Sequence, residues 1–178
     1  MNKTYFYGGA FNPMTKSHLK IIQTILEKMS NDDLLIIGIT DHDYKQFKYD
    51  YSLREKIVQK NCLSYCNHPY KRIKLVKQDK RTWQFLNELG YNNYVLVIGE
   101  DEYKDLKDGK WYYSDLILAN FEIFVIPRTD GVSSSKVREL FENKMFLTAM
   151  KYLTPTTIKL LPEYKNGIKY SIKNRVSY

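Results

Sequence analysis

The sequence predicts an α/β fold: one domain built on a doubly wound parallel sheet of about five strands, with helices on both faces. Three observations carry this. Five short β-rich runs alternate with helical patterns along 178 residues. Two of these runs, LLIIGIT (Leu34–Thr40) and YVLVIG (Tyr94–Gly99), are apolar throughout, as are strands buried on both faces of a parallel sheet. The resulting order, βαβαβαβαβα, is that of parallel strands joined by right-handed helical crossovers.

The elements follow in chain order. TYFYGG, from Thr4, is a short strand ending in glycine. His18 to Met29 carries Leu19, Ile22, Ile25, Leu26 and Met29 at helical spacing. After the Leu34–Thr40 strand, Asp41 to Tyr51 is polar, aromatic and without period, and reads as a long loop. SLRE, from Ser52, has the form of a capping box with Glu55 at the third position, and predicts a helix start. RIKLVK (Arg72–Lys77) reads as a strand, and Thr82 as the cap of a helix WQFLNEL that Gly90 stops. Tyr94–Gly99 is the best buried strand, and FEIFVIP (Phe121–Pro127) is the last. Helical patterns return from Ser134 to Asn143, and Thr154-Pro155 opens a helix over Thr156–Leu161 with proline in its first turn. The whole is Rossmann-like. One domain over 1–164 is expected, with 165–178 a basic C-terminal tail or peripheral strand.

Composition narrows the class. Hydrophobic residues make up 43% of the chain, enough for a packed core. No apolar run reaches membrane-span length, and Met1 to Gly9 lacks the shape of a signal peptide, so a cytoplasmic protein with no membrane partner is expected. The net charge is +8, which suits a polyanionic partner: a nucleotide, a nucleic acid or a membrane surface. Lys, Asn, Tyr and Ile all have A/T-rich codons, however, and the basic residues are scattered rather than blocked. Cys62 and Cys66 are the only cysteines, and with His68 they fall short of a zinc ligand set; two thiols packed on one helix face are expected, with no metal and no disulfide.

The chemistry is concentrated at the first strand's end. In a doubly wound sheet, ligands bind beyond the carboxyl ends of the strands. Gly8 and Gly9 lie there, where the lack of a Cβ lets the backbone approach a phosphate. His18 falls in the first turn of the next helix, whose free N–H groups and positive dipole end favour an anion. GGAFNPMTKSH has the wrong glycine spacing for a Walker A loop or a dinucleotide fingerprint. Far downstream, GVSSSKVREL places Ser133 as a good N-cap, with further hydroxyls behind it and Arg138 about one turn on, able to meet a phosphate in fork geometry.

The first stretch resembles the signature of the nucleotidyltransferase α/β phosphodiesterase superfamily, G-G-x-F-[ND]-P-x-[HT]-x-G-H, at Gly8, Gly9, Phe11, Asn12, Pro13, Thr15 and His18; Ser17 replaces the usual glycine. The second resembles its I-S-S-[ST]-x-[IV]-R, at Val132 to Arg138. Between them, Gly99, Asp101, Trp111 and Arg128 match the pattern of the nicotinate/nicotinamide mononucleotide adenylyltransferases, as do the threonine turn at Thr82, the helix bearing Arg54, a basic residue at Lys45 and the closing YLTP. The resemblance runs from about Thr4 to Tyr164.

That resemblance implies an enzyme of NAD biosynthesis that transfers AMP from ATP to a pyridine mononucleotide and releases pyrophosphate. It implies that His18 donates to the α-phosphate, with Thr15 supplying a hydroxyl donor in place of a first histidine. Gly8, Gly9 and Phe11 would bound the ATP site, Asp101 would bind the adenosine ribose, and Ser133, Ser134 and Arg138 would hold the β and γ phosphates. Thr82, Trp111, Lys45 and Arg128 would form the mononucleotide site, with Trp111 stacking on the pyridine; Trp83 competes for that role, and Trp111 could instead be a core residue. Mg²⁺ would ride on ATP, held mainly by phosphates and water. Nicotinate mononucleotide is the favoured acceptor, since this branch is mostly bacterial and acid-preferring. Thr15 is common in phosphopantetheine adenylyltransferases, which stand as the alternative, with cytidylyltransferases more distant. A non-catalytic nucleotide sensor is expected to lose His18 or Arg138, and no recognised nucleic-acid module supports a nucleic-acid-binding domain. A homo-oligomer is possible.

Overall fold

The computed structural model describes residues 2–43, 45–66, 72–127, 132–164 and 166. Arg128, His68 and all of the expected tail except Asn166 lie outside the described residues. The five expected strands are β1 (Thr4–Gly9), β2 (Leu34–Thr40), β3 (Arg72–Gln78), β4 (Tyr94–Gly99) and β5 (Glu122–Ile126). The helices are α1 (Lys16–Lys28), α2 (Tyr51–Tyr65), α3 (Thr82–Leu89), α4 (Glu100–Lys107), α5 (Ser114–Asn120), α6 (Ser134–Glu142), α7 (Phe146–Met150) and α8 (Pro155–Leu160).

All four strand pairings are parallel, in the order β3-β2-β1-β4-β5. The chain runs outward from β1 to β3 on one side, then crosses back to β4 on the other. Side chains alternate along β1, so its two faces read as two packing surfaces. Tyr5 and Tyr7 join Leu35, Ile37, Val95 and Val97 against α1, α2 and α6. Phe6 joins Ile36, Leu96 and Ile98 against α3, α4 and α5. Burial of each such aliphatic side chain stabilises by roughly 1.5–3 kcal/mol, which makes these two layers the main source of stability.

The differences from expectation lie at helix starts. α1 begins at Lys16, two residues before the helical spacing read from His18, and Thr15 is its N-cap. α2 begins at Tyr51 because Asp50 caps it, its side chain accepting from the Leu53 N–H at 2.7 Å. Ser52 is therefore inside the first turn, and Glu55 accepts from the Tyr51 hydroxyl instead of completing a box. A carboxylate two residues upstream outcompetes the serine, as its full charge suits a helix N-terminus. α3 takes Arg81 as N-cap, with no side-chain capping bond, and Thr82 is its first helical residue. Gly90 does end α3 in the left-handed conformation, at φ 68°. Ser133 and Thr154 cap α6 and α8 as the sequence suggests. The crossover from β4 to β5 contains two short helices, α4 and α5. Cys62 and Cys66 are free, buried thiols on α2 and at its C-cap.

Candidate active site

A cleft of about 930 Å³ opens at the carboxyl ends of β1 and β4, where the strand order reverses. This is the point at which a doubly wound sheet parts its crossovers to two sides. Gly8, Gly9, Thr15, His18, Lys45, Thr82, Asp101, Trp111, Ser133 and Ser134 all line it. Residues scattered over more than a hundred positions of sequence are thus brought to one opening.

The two end motifs are tied to each other. The Ser134 hydroxyl donates to the Pro13 carbonyl at 2.8 Å, and Arg138 Nη1 donates to the Asn12 carbonyl at 2.6 Å. Arg138 Nη2 also donates to Ser135 Oγ at 3.0 Å. Arg138 lies behind the loop and is not among the cleft-lining residues. Ser133 Oγ accepts from the Lys136 N–H at 3.2 Å as the α6 cap, and keeps a place on the cleft wall. Asn12 is held a second time, its Oδ1 accepting from the Tyr49 N–H at 3.1 Å.

His18 is the third residue of α1, in a capping box with Thr15. The Thr15 N–H donates to His18 Nδ1 at 3.0 Å, and Thr15 Oγ1 lies 2.8 Å from the same nitrogen. Nδ1 therefore carries no proton in the neutral ring, and the proton sits on Nε2. Burial pushes the imidazole down to about 4, so it is neutral at physiological pH. The ring is half-buried and rests on Phe11, with centroids 5.0 Å apart. Phe11 itself is fully buried, at a positive φ of 48°, and packs edge-on against Tyr7. It supports the site from beneath and does not line the cleft.

Trp111 is half-buried, packed against the α3–α5 face of the core and lining the cleft at once. Trp83, the rival for a stacking role, instead faces the Phe121 ring at 5.4 Å and does not line the cleft. Lys45 is exposed on the cleft rim, near the Phe47 ring. Asp101 lies in the first turn of α4 between Glu100 and Glu102, where acidic residues complement the helix dipole. Among the described residues there is no group of three or more His, Cys, Asp or Glu that could hold a metal ion. No helix among them is long and apolar enough to cross a membrane.

Two further residues shape the site. Arg54 is fully buried, and its guanidinium donates to the carbonyls of Tyr49, Ala10 and Thr40 and to Asp41 Oδ1. Asp41 also meets Lys77 at 2.8 Å, and these cations hold its carboxyl below the usual range. A signal for Arg54 was present: it stands in register with Ile57, Val58, Asn61 and Cys62, the buried stripe of α2. Gln78, buried at the end of β3, lies across Gly8 and Gly38, and its Oε1 has no hydrogen-bond partner. A Cβ on Gly8 would stand 2.8 Å from that oxygen, so Gly8 is small on account of Gln78 as well as of any ligand. Nothing in the sequence marks Gln78, a single polar residue ending an edge strand.

A five-stranded doubly wound sheet, with a helix N-terminus bearing a neutral histidine and a serine-rich helix start pinned beside it, defines a phosphate-handling nucleotide enzyme. The chain belongs to the cytidylyltransferase-like family, which it matches over residues 6–140, and is a nucleotidyltransferase. A probable nicotinate-nucleotide adenylyltransferase of Fusobacterium nucleatum is 27% identical over 98% of this chain and 87% of that protein. A phosphopantetheine adenylyltransferase of a Chelativorans species is 31% identical, over only 44% of this chain and 45% of its own. The fold is shared with nicotinic acid mononucleotide adenylyltransferase of Plasmodium falciparum, solved in complex with NaAD, with a TM-score of 0.72 at 19% identity over 92% of this chain and 96% of that one.

Proposed function

We propose that the protein adenylates a pyridine mononucleotide, nicotinate mononucleotide in preference, in a cytoplasmic step of NAD biosynthesis. One observation carries the reading: a single cleft is lined both by His18, Ser133 and Ser134, at the N-termini of α1 and α6, and by Thr82, Trp111 and Tyr112. Full-length similarity to a nicotinate-nucleotide adenylyltransferase supports it, as does a fold neighbour bound to NaAD.

A phosphate oxygen of the mononucleotide attacks the α-phosphorus of ATP. A P–O bond forms there, the bond to the β-phosphate oxygen breaks, and pyrophosphate leaves with its electron pair. The nucleophile is already an anion, so no general base is needed and catalysis is positioning plus charge stabilisation. His18 donates from Nε2 to the α-phosphate as charge develops. Its neutral state suits this, because a fixed N–H donor needs no proton to be taken up. The Thr15 hydroxyl faces the His18 ring, which favours a positioning role for Thr15 over direct donation to phosphate. Ser133, Ser134 and the α6 N-terminus receive the β and γ phosphates; Arg138 holds the Asn12 carbonyl and thereby the loop that the phosphates meet. Asp101 takes the ribose, Gly8 and Gly9 bound the ATP side, and Lys45 and Arg128 serve the mononucleotide. Mg²⁺ enters with ATP, on phosphates and water, where it would neutralise charge on the leaving pyrophosphate.

Phosphopantetheine is the second reading, favoured by Thr15. The deciding experiment supplies ATP with nicotinate mononucleotide, nicotinamide mononucleotide or phosphopantetheine in turn and follows pyrophosphate. Turnover with a pyridine mononucleotide is expected; turnover with phosphopantetheine alone would overturn the proposal.

A further inference from the structure

We infer that Glu163, just beyond α8, is a positioning residue for the ATP site: it latches Tyr49, and through Tyr49 it fixes the Asn12 side chain behind the loop that the phosphates meet. The inference rests on the ATP half of the proposed function, and its three residues all stand outside the cleft wall. Tyr49 is almost fully buried, and each of its polar groups is answered. Its N–H donates to Asn12 Oδ1 at 3.1 Å, its carbonyl accepts from Arg54 Nε at 3.0 Å, and its hydroxyl donates to Glu163 Oε1 at 2.9 Å. Lys48 Nζ reaches the same carboxylate oxygen at 2.8 Å. It also stands over the rings of Tyr49 and Phe141, 5.6 Å from each centroid. Phe141 belongs to α6, the helix whose Arg138 holds the Asn12 carbonyl. Asn12 is therefore gripped twice, on its main chain from α6 and on its side chain by a line of contacts that ends at Glu163.

Stability alone does not explain Glu163. Its Oε2 is buried without a hydrogen-bond partner, and an unanswered carboxylate oxygen in the interior is costly. Apolar groups in place of the Tyr49–Glu163 pair would be close to neutral. What they would not supply is direction, which a hydrogen bond has and an apolar contact lacks. Arg54 fixes the main chain of Tyr49 and Glu163 fixes the tip of its ring, so the residue is held at two points and cannot turn. Its N–H is then aimed at Asn12, in the Asn12-Pro13 segment on which Ser134 and Arg138 close.

The test titrates ATP by calorimetry and measures kcat and KM for ATP, beside a thermal melt. It compares the wild type, Glu163→Gln, Tyr49→Phe and the double variant Tyr49→Phe with Glu163→Met. Glutamine keeps an acceptor for the hydroxyl, so Glu163→Gln should bind ATP as the wild type does. The double variant removes donor and acceptor together, and its melting temperature should stay close to that of the wild type. Its Kd and KM for ATP should still rise by roughly threefold to tenfold, the scale of one hydrogen bond, with kcat at saturation unchanged. Tyr49→Phe alone should move the same way, and gives the reading should the double variant not fold. Variants that bind ATP as the wild type does would overturn the inference, as would a weakening that only follows the loss of folded protein. A wild type that binds ATP and adenylates neither mononucleotide overturns the proposed function alone, because the calorimetric difference between variants still decides the latch. A wild type that binds no ATP overturns both.

Discussion

At His18 the two nitrogens of one imidazole serve different ends. Nδ1 accepts the Thr15 N–H and closes the start of α1, while Nε2 carries the proton toward the cleft. The sequence places His18 in the first turn; it does not show that the ring also completes a cap, because that depends on Thr15, a residue with its own reading as a phosphate donor. The two roles can be separated. Glutamine at the third helical position is a standard partner for a threonine cap and can take the Thr15 N–H. His18→Gln should therefore keep the melting temperature close to that of the wild type, yet lose the imidazole donor. Removing one preorganised donor to a developing charge typically costs about 10²–10³ in kcat. His18→Ala should lose a similar factor in rate and, in addition, about 1 kcal/mol of stability from the broken cap. Steady-state kinetics and urea unfolding on both variants check this. A His18→Gln enzyme with near-normal kcat would leave the histidine with a structural role only.

Among the elements, strands were easier to read than helix starts. LLIIGIT and YVLVIG are buried on both faces, and a continuous apolar run states that directly. The parallel sense of the sheet also follows, since strands alternating with helices call for crossovers, whereas the order β3-β2-β1-β4-β5 is seen only in the folded chain. Helix starts are set by competition between neighbouring oxygens, which pattern alone does not rank. At α2, SLRE fits a capping box, but Asp50 stands two residues earlier and wins. The site was legible in the same uneven way. Thr15, His18, Ser133 and Ser134 show themselves because helix-cap and glycine chemistry is local. Gln78 and the ties from Arg138 and Ser134 to the Asn12-Pro13 segment arise only on folding, the ties joining residues up to 126 positions apart. The α2 cap offers a direct check. Asp50→Ala should cost about 1 kcal/mol, within the range for a lost N-cap, whereas Ser52→Ala, on an exposed side chain, should stay within about 0.5 kcal/mol. Chemical denaturation of the two single variants measures both. The reverse order would restore Ser52 as the cap.

At the scale of the whole molecule, one buried cation fastens the cleft's floor to its rim. β1 and β2 end side by side, and the carbonyls of Ala10, just past β1, and Thr40, the last residue of β2, meet one guanidinium. Arg54 Nη1 takes both, at 2.9 and 2.7 Å. Its Nε takes Tyr49, whose N–H in turn holds Asn12, and its Nη2 takes Asp41, which is shared with Lys77. The first motif, the 41–50 loop and the end of β3 are thus joined through one guanidinium. A fully buried charge is tolerable only because each of these acceptors answers it. Lysine cannot substitute, since an ammonium has neither the reach nor the planar spread of donors to meet four groups placed around a fork. Arg54→Lys should therefore be damaging despite keeping the charge. Arg54→Met removes the charge but leaves three carbonyls and one side of Asp41 unanswered. A buried pair broken on one side typically costs about 3–5 kcal/mol, and both variants should fall in that range by urea unfolding. Because the network's output is the position of the Ala10–Pro13 loop after β1, loss of ATP binding should come with it: in whatever fraction remains folded at low temperature, KM for ATP should rise. Should Arg54→Met unfold with the wild-type midpoint and bind ATP normally, the guanidinium would be a passenger in the core and the cleft would owe its shape to the sheet alone.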